Sequence, residues 1–216
     1  MDAARRETAP VSDVATLLRQ ASAEDHRATE SRPFLTRLVE GSLSLDAYAR
    51  YLGQLRWVYD ALESRPCGDV DVFDARLRRR AAIESDLAAL GVEDADASHP
   101  PLPATARYAA HLSALAGSPN RLDSTVRYLA HHYTRYLGDL SGGQAVAALV
   151  ARHYGAAEHQ LAFARFPELG PVVDAKRRYR ERLNSIPLDE TEVDELVREV
   201  RVAFAFNAAI FDELAA

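Results

Sequence analysis

At 216 residues with a formal charge of −6, the chain suits one domain built round one sizeable core. No concentrated basic patch accompanies that charge, which excludes nucleic acid as a partner, and the longest apolar runs fall far short of the ~20 residues that span a bilayer. A single cysteine, Cys67, excludes an internal disulfide or a thiolate zinc cluster and suits a reducing cytoplasm, the expected location.

Residues 1–11 read as a flexible N-terminus, because Asp2, Arg5, Arg6, Glu7 and then Pro10 offer no apolar core for a secretory signal. The domain is expected over 12–216. Ser12 or Asp13 caps a first helix in which Val14, Leu17, Leu18, Ala21 and Ala28 share a face, with Pro33 as its end or a bend. Ser44 opens a second helix whose buried stripe includes Ala47, Tyr48, Tyr51, Leu52, Leu55, Val58, Tyr59 and Leu62. A third runs from about Asp74 to Leu90, with Leu77, Ala81, Glu84 and Leu87 in register and Gly91 as its stop.

Residues 94–103 are polar and proline-rich, so they read as a connection. A fourth helix covers 104–116, closed by Gly117. A fifth begins near Asp123, reaches Gly138 to Gly143, and resumes through Val146, Leu149 and Val150 to Tyr154. A sixth spans about Val172 to Asn184. The last starts at the capping box of Asp189 and Glu192 and turns Val193, Leu196, Val197, Val200, Phe204, Phe211 and Leu214 inward. No alternating strand and no internal repeat appear, so the fold class is all-α, and the final Leu214-Ala215-Ala216 leads to the expectation of no membrane anchor.

The glycines in the fifth helix need an explanation. Each costs about 1 kcal/mol relative to alanine in a helix interior, so Gly138, Gly142 and Gly143 together cost roughly 3 kcal/mol. Gly138 and Gly142 share a face and cut a notch where a flat, rigid body can lie against backbone, while Asp139 and Gly143 share the neighbouring face with Arg135 one turn earlier. Close helix packing or a simple kink is the alternative. No phosphate loop is present, since no Gly-Lys-Ser/Thr follows and no strand precedes.

His26 flanks the apolar stripe of the first helix, and Arg19, seven residues earlier, falls within about 20° of it on the helical wheel. A neutral imidazole is the usual ligand of haem iron, and a cation on the same surface can meet a haem propionate. Glu30 is in reach to orient the other ring nitrogen. The remaining histidines, His99, His111, His131, His132, His153 and His159, show no pairing with another His, Asp or Glu that forms a zinc or di-iron constellation, so no further metal site is expected.

The stretch Tyr133-Thr-Arg-Tyr-Leu-Gly-Asp-Leu-Ser-Gly-Gly-Gln144 resembles the distal-helix signature of the haem oxygenases letter for letter. His26 with Glu30 and Pro33-Phe34 resembles the family's proximal motif, and Leu161–Pro167, Lys176–Asn184 and Ala203–Asn207 resemble further blocks in the right order. The resemblance implies a helical bundle holding haem b between a proximal helix and a glycine-kinked distal helix, with haem as both cofactor and substrate. It implies His26 as axial ligand, and Gly138 and Gly142 as the positions where backbone approaches bound O2. Asp139 would anchor a water network supported by Tyr59 and Arg135. Arg19, Tyr133, Lys176 and Arg180 would hold the propionates, and Phe204 would lie at the haem edge.

The activity so implied is oxidative cleavage of haem, at the α-meso carbon, to biliverdin, carbon monoxide and ferrous iron. Electrons would come from an external ferredoxin or flavoprotein reductase, since no flavin or nicotinamide motif is present. A monomer is expected, with a weak dimer as the alternative. The competing readings are a non-catalytic haem carrier or sensor on the same fold, which needs His26 but not Asp139, and a helical interaction protein whose glycines only pack helices.

Overall fold

The computed structural model describes residues 13–64 and 74–216, and no strand occurs among them. Cys67, the terminus expected to be flexible and a cap at Ser12 lie outside the described residues. Helix α1 (Val14–Ala21) is capped by Asp13, whose carboxylate accepts the Thr16 N–H at 3.1 Å. The expected first helix then divides at Ser22. Its hydroxyl donates to the Leu18 carbonyl at 2.7 Å and its backbone leaves helical geometry, at φ −102° and ψ 5°. Helix α2 (Ala23–Glu30) resumes in a shifted phase, so Ala28 faces solvent rather than the core and Thr29 is the one buried residue of the helix. Pro33 does not end a helix but opens one, α3 (Pro33–Val39), at the first position, where its missing N–H has no partner to lose.

Helix α4 (Leu45–Glu63) starts at Ser44, which accepts the Ala47 N–H at 3.1 Å. It runs through the middle of the core, with Tyr48, Leu52, Leu55, Val58, Tyr59 and Leu62 each 2% exposed or less. Burying each of the aliphatic ones contributes about 1.5–3 kcal/mol. The third expected helix also divides. A 3-10 turn, Ala75–Leu77, is separated from α5 (Arg80–Ala89) by the extended Arg78 at ψ 134°. This shifts the phase: Ala81 and Glu84, expected inward, are exposed, Ile83 and Asp86 are buried instead, and Leu87 is buried as expected. Gly91 is the expected stop, at φ +85°.

The connection expected over 94–103 contains a short helix, α6 (Ala95–Ser98), and its last proline opens α7 (Pro103–Gly117). From 121 to 154 the backbone is then helical without interruption, through π-helical Leu122–Arg127, α8 (Tyr128–His132), π-helical Tyr133–Leu137 and Asp139–Gly143, and α9 (Gln144–Tyr154). The glycines do not break this rod: Gly138 keeps φ −62° and ψ −50°. The widened π turns take the place of a break, a distortion that recurs at functional sites.

Turns of 3-10 type between 158 and 169 lead to α10 (Val172–Asn184), within the expected bounds. Helix α11 (Glu190–Ala215) opens on the expected capping box: Asp189 accepts the Glu192 N–H at 2.8 Å and Glu192 accepts the Asp189 N–H at 3.2 Å. It packs against α2, α3, α7 and α8, while α4 packs against α5 and α7. The all-α class expected from the sequence is the one observed.

Candidate active site

Two adjoining cavities separate α2 from the glycine stretch of the long rod. One, about 150 Å³, is lined by α2, the rod, α11 and the turn at Phe163 and Ala164. The other, about 310 Å³, is lined by α1, α2, the rod, Arg180 and Phe204. His26, Thr134, Gly138 and Phe204 belong to both walls, so the imidazole and the first glycine face one joined space.

The glycines decide between a shelf and a packing contact. A Cβ built on Gly138 or Gly142 would meet no heavy atom within 4 Å, so no neighbouring helix requires their bareness. Both line the cavity, and the room they leave opens into it. Gly143 differs, since a Cβ there would meet Ala164 at 3.9 Å in ordinary contact.

His26 is half-exposed at the wall, with Nδ1 at 3.2 Å from a Glu30 carboxylate oxygen. A neutral imidazole that donates its Nδ1 proton to Glu30 keeps the Nε2 lone pair free for a metal. The Phe204 ring meets the imidazole edge-on, 5.7 Å between centroids, and limits its rotation.

On the rod, Asp139 is buried and accepts a hydrogen bond from the Tyr59 hydroxyl of α4. Arg135 ties these groups together: its guanidinium lies 3.4 Å from the Asp139 carboxylate, donates to the Tyr59 oxygen at 3.2 and 3.3 Å, and donates to Asn207 Oδ1 at 2.7 Å. Asn207 in turn donates to the Ala203 carbonyl at 2.7 Å, which anchors the network to α11. Burial pushes the Asp139 carboxyl above the usual range, against the pull of Arg135 and the Tyr59 hydrogen bond. Burial also pushes the Tyr59 phenol up, so it stays a donor. Burial opposes the Arg135 charge as well, but the oxygens of Tyr59 and Asp139 outweigh it and the guanidinium stays protonated.

At the mouth, Arg19, Tyr133 and Arg180 line the larger cavity together. Burial raises the Tyr133 phenol and both guanidiniums pull it back, which places their charges beside it. Neither arginine makes an ion pair or hydrogen bond with another described residue. Lys176, one turn before Arg180 on α10, does not line the cavity. Arg19 and His26 thus share a wall as expected, although the helix that was to hold them on one face is divided.

Every candidate on α2 and the rod is brought to one space. Asn207, at the end of the Ala203–Asn207 segment, carried no expected role; three residues after Phe204, it lines the smaller cavity with it. None of the other six histidines was expected to join a His, Asp or Glu in a zinc or di-iron constellation, yet His111, His131 and Glu199 cluster, with their ligand atoms all within 4.8 Å of one another. The histidines lie 68 and 88 residues from the glutamate, a separation that no local pattern reveals.

With this geometry in hand, the chain matches the family described as "Heme oxygenase" over residues 12–213. It belongs to the haem oxygenase family. Among haem oxygenases, the human protein "Heme oxygenase 1" is 30% identical over 211 residues, covering 94% of this chain and 72% of that one. The haem oxygenase 1 of Synechocystis is 27% identical, covering 94% and 85%. The solved structure of the Synechocystis haem oxygenase-1, in complex with haem, superposes with a TM-score of 0.85 over 94% of this chain and 92% of that one. The haem oxygenase of Leptospira interrogans gives 0.85 at 30% identity, over 93% and 99%. No helix among the described residues is long and apolar enough to cross a membrane.

Proposed function

We propose that the chain binds one haem in the joined cavities and cleaves it oxidatively at the α-meso carbon, giving biliverdin, carbon monoxide and ferrous iron. The observation that carries this reading is the bare backbone at Gly138 and Gly142, which opens onto the space that His26 faces and onto no neighbouring helix. The residues fit the group. An imidazole with one nitrogen engaged by Glu30 offers the other to iron, a flat shelf faces it, and two guanidiniums with no ion pair among the described residues lie at the mouth, where carboxylates could meet them. A cavity of about 310 Å³ is of the size that ligand sites reach, roughly 300–1,000 Å³.

Haem, when bound, supplies both the metal at which O2 is reduced and the ring that is cut, with O2 and electrons from an external donor. His26 would hold the iron, and Glu30 and Phe204 would fix the plane of its imidazole. Gly138 and Gly142 keep side chains out of the cavity wall, which would leave room there for a diatomic molecule and water. Asp139 holds ordered water at that wall, and Tyr59, Arg135 and Asn207 keep its carboxylate from turning away. Arg19 and Arg180, beside Tyr133, would hold the propionates and so fix the in-plane orientation of the ring. Lys176 joins them only by extending from one turn away. A ferredoxin or flavoprotein reductase supplies the electrons, and the enzyme acts as a monomer in the cytoplasm.

A carrier or sensor needs His26 and the arginines but no carboxylate network buried behind the shelf, and that network favours the enzyme. Aerobic turnover of added hemin with an artificial reductant, followed by absorption and by chromatography of the bilin, tests this. The expected result is biliverdin IXα. A Soret shift without bilin points to a carrier, no Soret shift points to an interaction module, and a β or δ isomer removes the assigned role of the arginines.

A further inference from the structure

The cluster of His111 on α7, His131 on α8 and Glu199 on α11 takes no part in the chemistry above and lines neither cavity. Both imidazoles address the same carboxylate oxygen through Nε2, at 2.6 Å from His111 and 2.9 Å from His131. His131 is fully buried and Glu199 nearly so, while His111 is about one-third exposed and gives a path from solvent. Burial opposes the charge on Glu199, but the two histidines outweigh it and hold its carboxyl down at about 2, so it is an anion throughout the neutral range. Burial lowers His131 below the ordinary histidine value, which favours the neutral imidazole that a metal requires.

We propose that His111, His131 and Glu199 form a site for one divalent transition-metal ion, with zinc as the reference ion. Two imidazole nitrogens and one carboxylate are a recognised donor set for a zinc ion that keeps a further position open. Zinc bonds of about 2.0–2.2 Å set its ligand atoms ~3.2–3.5 Å apart, so each histidine–carboxylate pair would open by roughly half an ångström from 2.6 and 2.9 Å, and the three ligand atoms already lie within 4.8 Å of one another. The far nitrogen of His131 is already oriented, with Nδ1 at 3.2 Å from the Tyr108 hydroxyl. Phe206 stacks on Tyr108 at 4.7 Å between centroids and lies 5.3 Å from His111, which steadies both rings.

The proton balance is simple. Without metal, His131 donates from Nε2 and its Nδ1 accepts from Tyr108. On binding, Nε2 gives its lone pair to the metal, the proton resides on Nδ1, and the Tyr108 hydroxyl turns from donor to acceptor. His111 makes the same exchange with solvent at its outer nitrogen. Arg127 lies 4.0 Å from the other Glu199 oxygen, but Asp123 and Glu195 engage its charge at 2.6 and 2.5 Å.

Calorimetric titration of the full chain, stripped with a chelator, with zinc chloride tests the site. One saturable equivalent is expected, lost in His111→Ala and in Glu199→Gln while both variants still titrate hemin to the wild-type Soret end point. It should persist in His26→Ala, which disables the other histidine–carboxylate pair. No saturable equivalent, or one that survives His111→Ala and disappears in His26→Ala, overturns the proposal. Cobalt(II) added to the unaltered chain gives a check independent of folding. Intense ligand-field absorption of a four- or five-coordinate ion is expected, and the weak bands of a hexaaqua-like ion overturn it.

Discussion

Replacing Gly142 by alanine should strengthen the empty protein and weaken the enzyme. A Cβ at 142 meets no heavy atom within 4 Å, so the substitution carries no steric cost in the ligand-free fold. Gly142 is not among the glycines with positive φ, and a helix-interior glycine costs about 1 kcal/mol relative to alanine. For a chain of this size, that gain raises the melting midpoint by roughly 2–4 °C. With hemin present the same methyl group occupies the shelf, and overpacking of about 1–3 kcal/mol lowers apparent haem affinity roughly 5- to 150-fold. Circular dichroism melts of the haem-free protein and Soret titrations measure the two effects on one sample. A Gly142→Ala variant that melts lower than the parent and binds hemin unchanged would show that the glycine serves helix packing, and the reading of the shelf would fall.

Asp139→Asn should leave the Soret titration intact and cut bilin yield roughly 10- to 100-fold, the worth of about 1.5–3 kcal/mol for a hydrogen bond to a charged group. Burial raises the Asp139 carboxyl above 3.8, so bilin formation in the parent should fail on the acid side at a higher pH than a surface aspartate would dictate, and the asparagine variant should lack that limb. Asn207→Ala removes the 2.7 Å anchor of Arg135 and should lower stability by about 1.5–3 kcal/mol while hemin still binds, read from denaturant melts with and without hemin. Glu199, held down at about 2, contributes stability that is complete above its unfolded value near 4.5 and is lost as pH falls through 2. Acid titration of the metal-free chain should show this loss, and Glu199→Gln should flatten the profile between those values.

What the sequence discloses is governed by distance along the chain. The Asp189–Glu192 box, the Ser44 cap, the bounds of α10, the shared face of Gly138 and Gly142 and the Glu30 partner of His26 all depend on residues three or four apart. Two departures come from single residues that reset a helical phase. Ser22 folds its hydroxyl onto Leu18 and turns Ala28 outward, and Arg78 takes an extended backbone and puts Asp86 in the place expected for Glu84. A periodicity count assumes one phase per helix and so misplaces residues beyond such a point, Ala28, Ala81 and Glu84 among them. Asp86 is then invisible as a core residue, although its carboxylate accepts the Ala162 and Phe163 N–H groups at 2.7 and 2.8 Å and holds the turn that walls the smaller cavity. Asn207 with Arg135 and the His111–His131–Glu199 cluster join helices far apart in sequence, and only their packing brings them together.

The parts of the site are individually unfavourable to a folded chain. The glycines weaken the rod, burial disfavours the charge on Asp139, α2 buries little more than Thr29, and Arg19 and Arg180 have no ion pair among the described residues. None of these choices helps the empty protein, and their cost falls on a scaffold that can bear it, the apolar faces of α4 and α11 with their fully buried Leu52, Leu55, Val58 and Leu196. A chain selected only to fold would have filled the shelf with alanine, paired the arginines and replaced the buried aspartate by leucine. That each exception lies on one cavity, with an imidazole facing bare backbone across it, ties the departures from good helix design to a ligand that completes them.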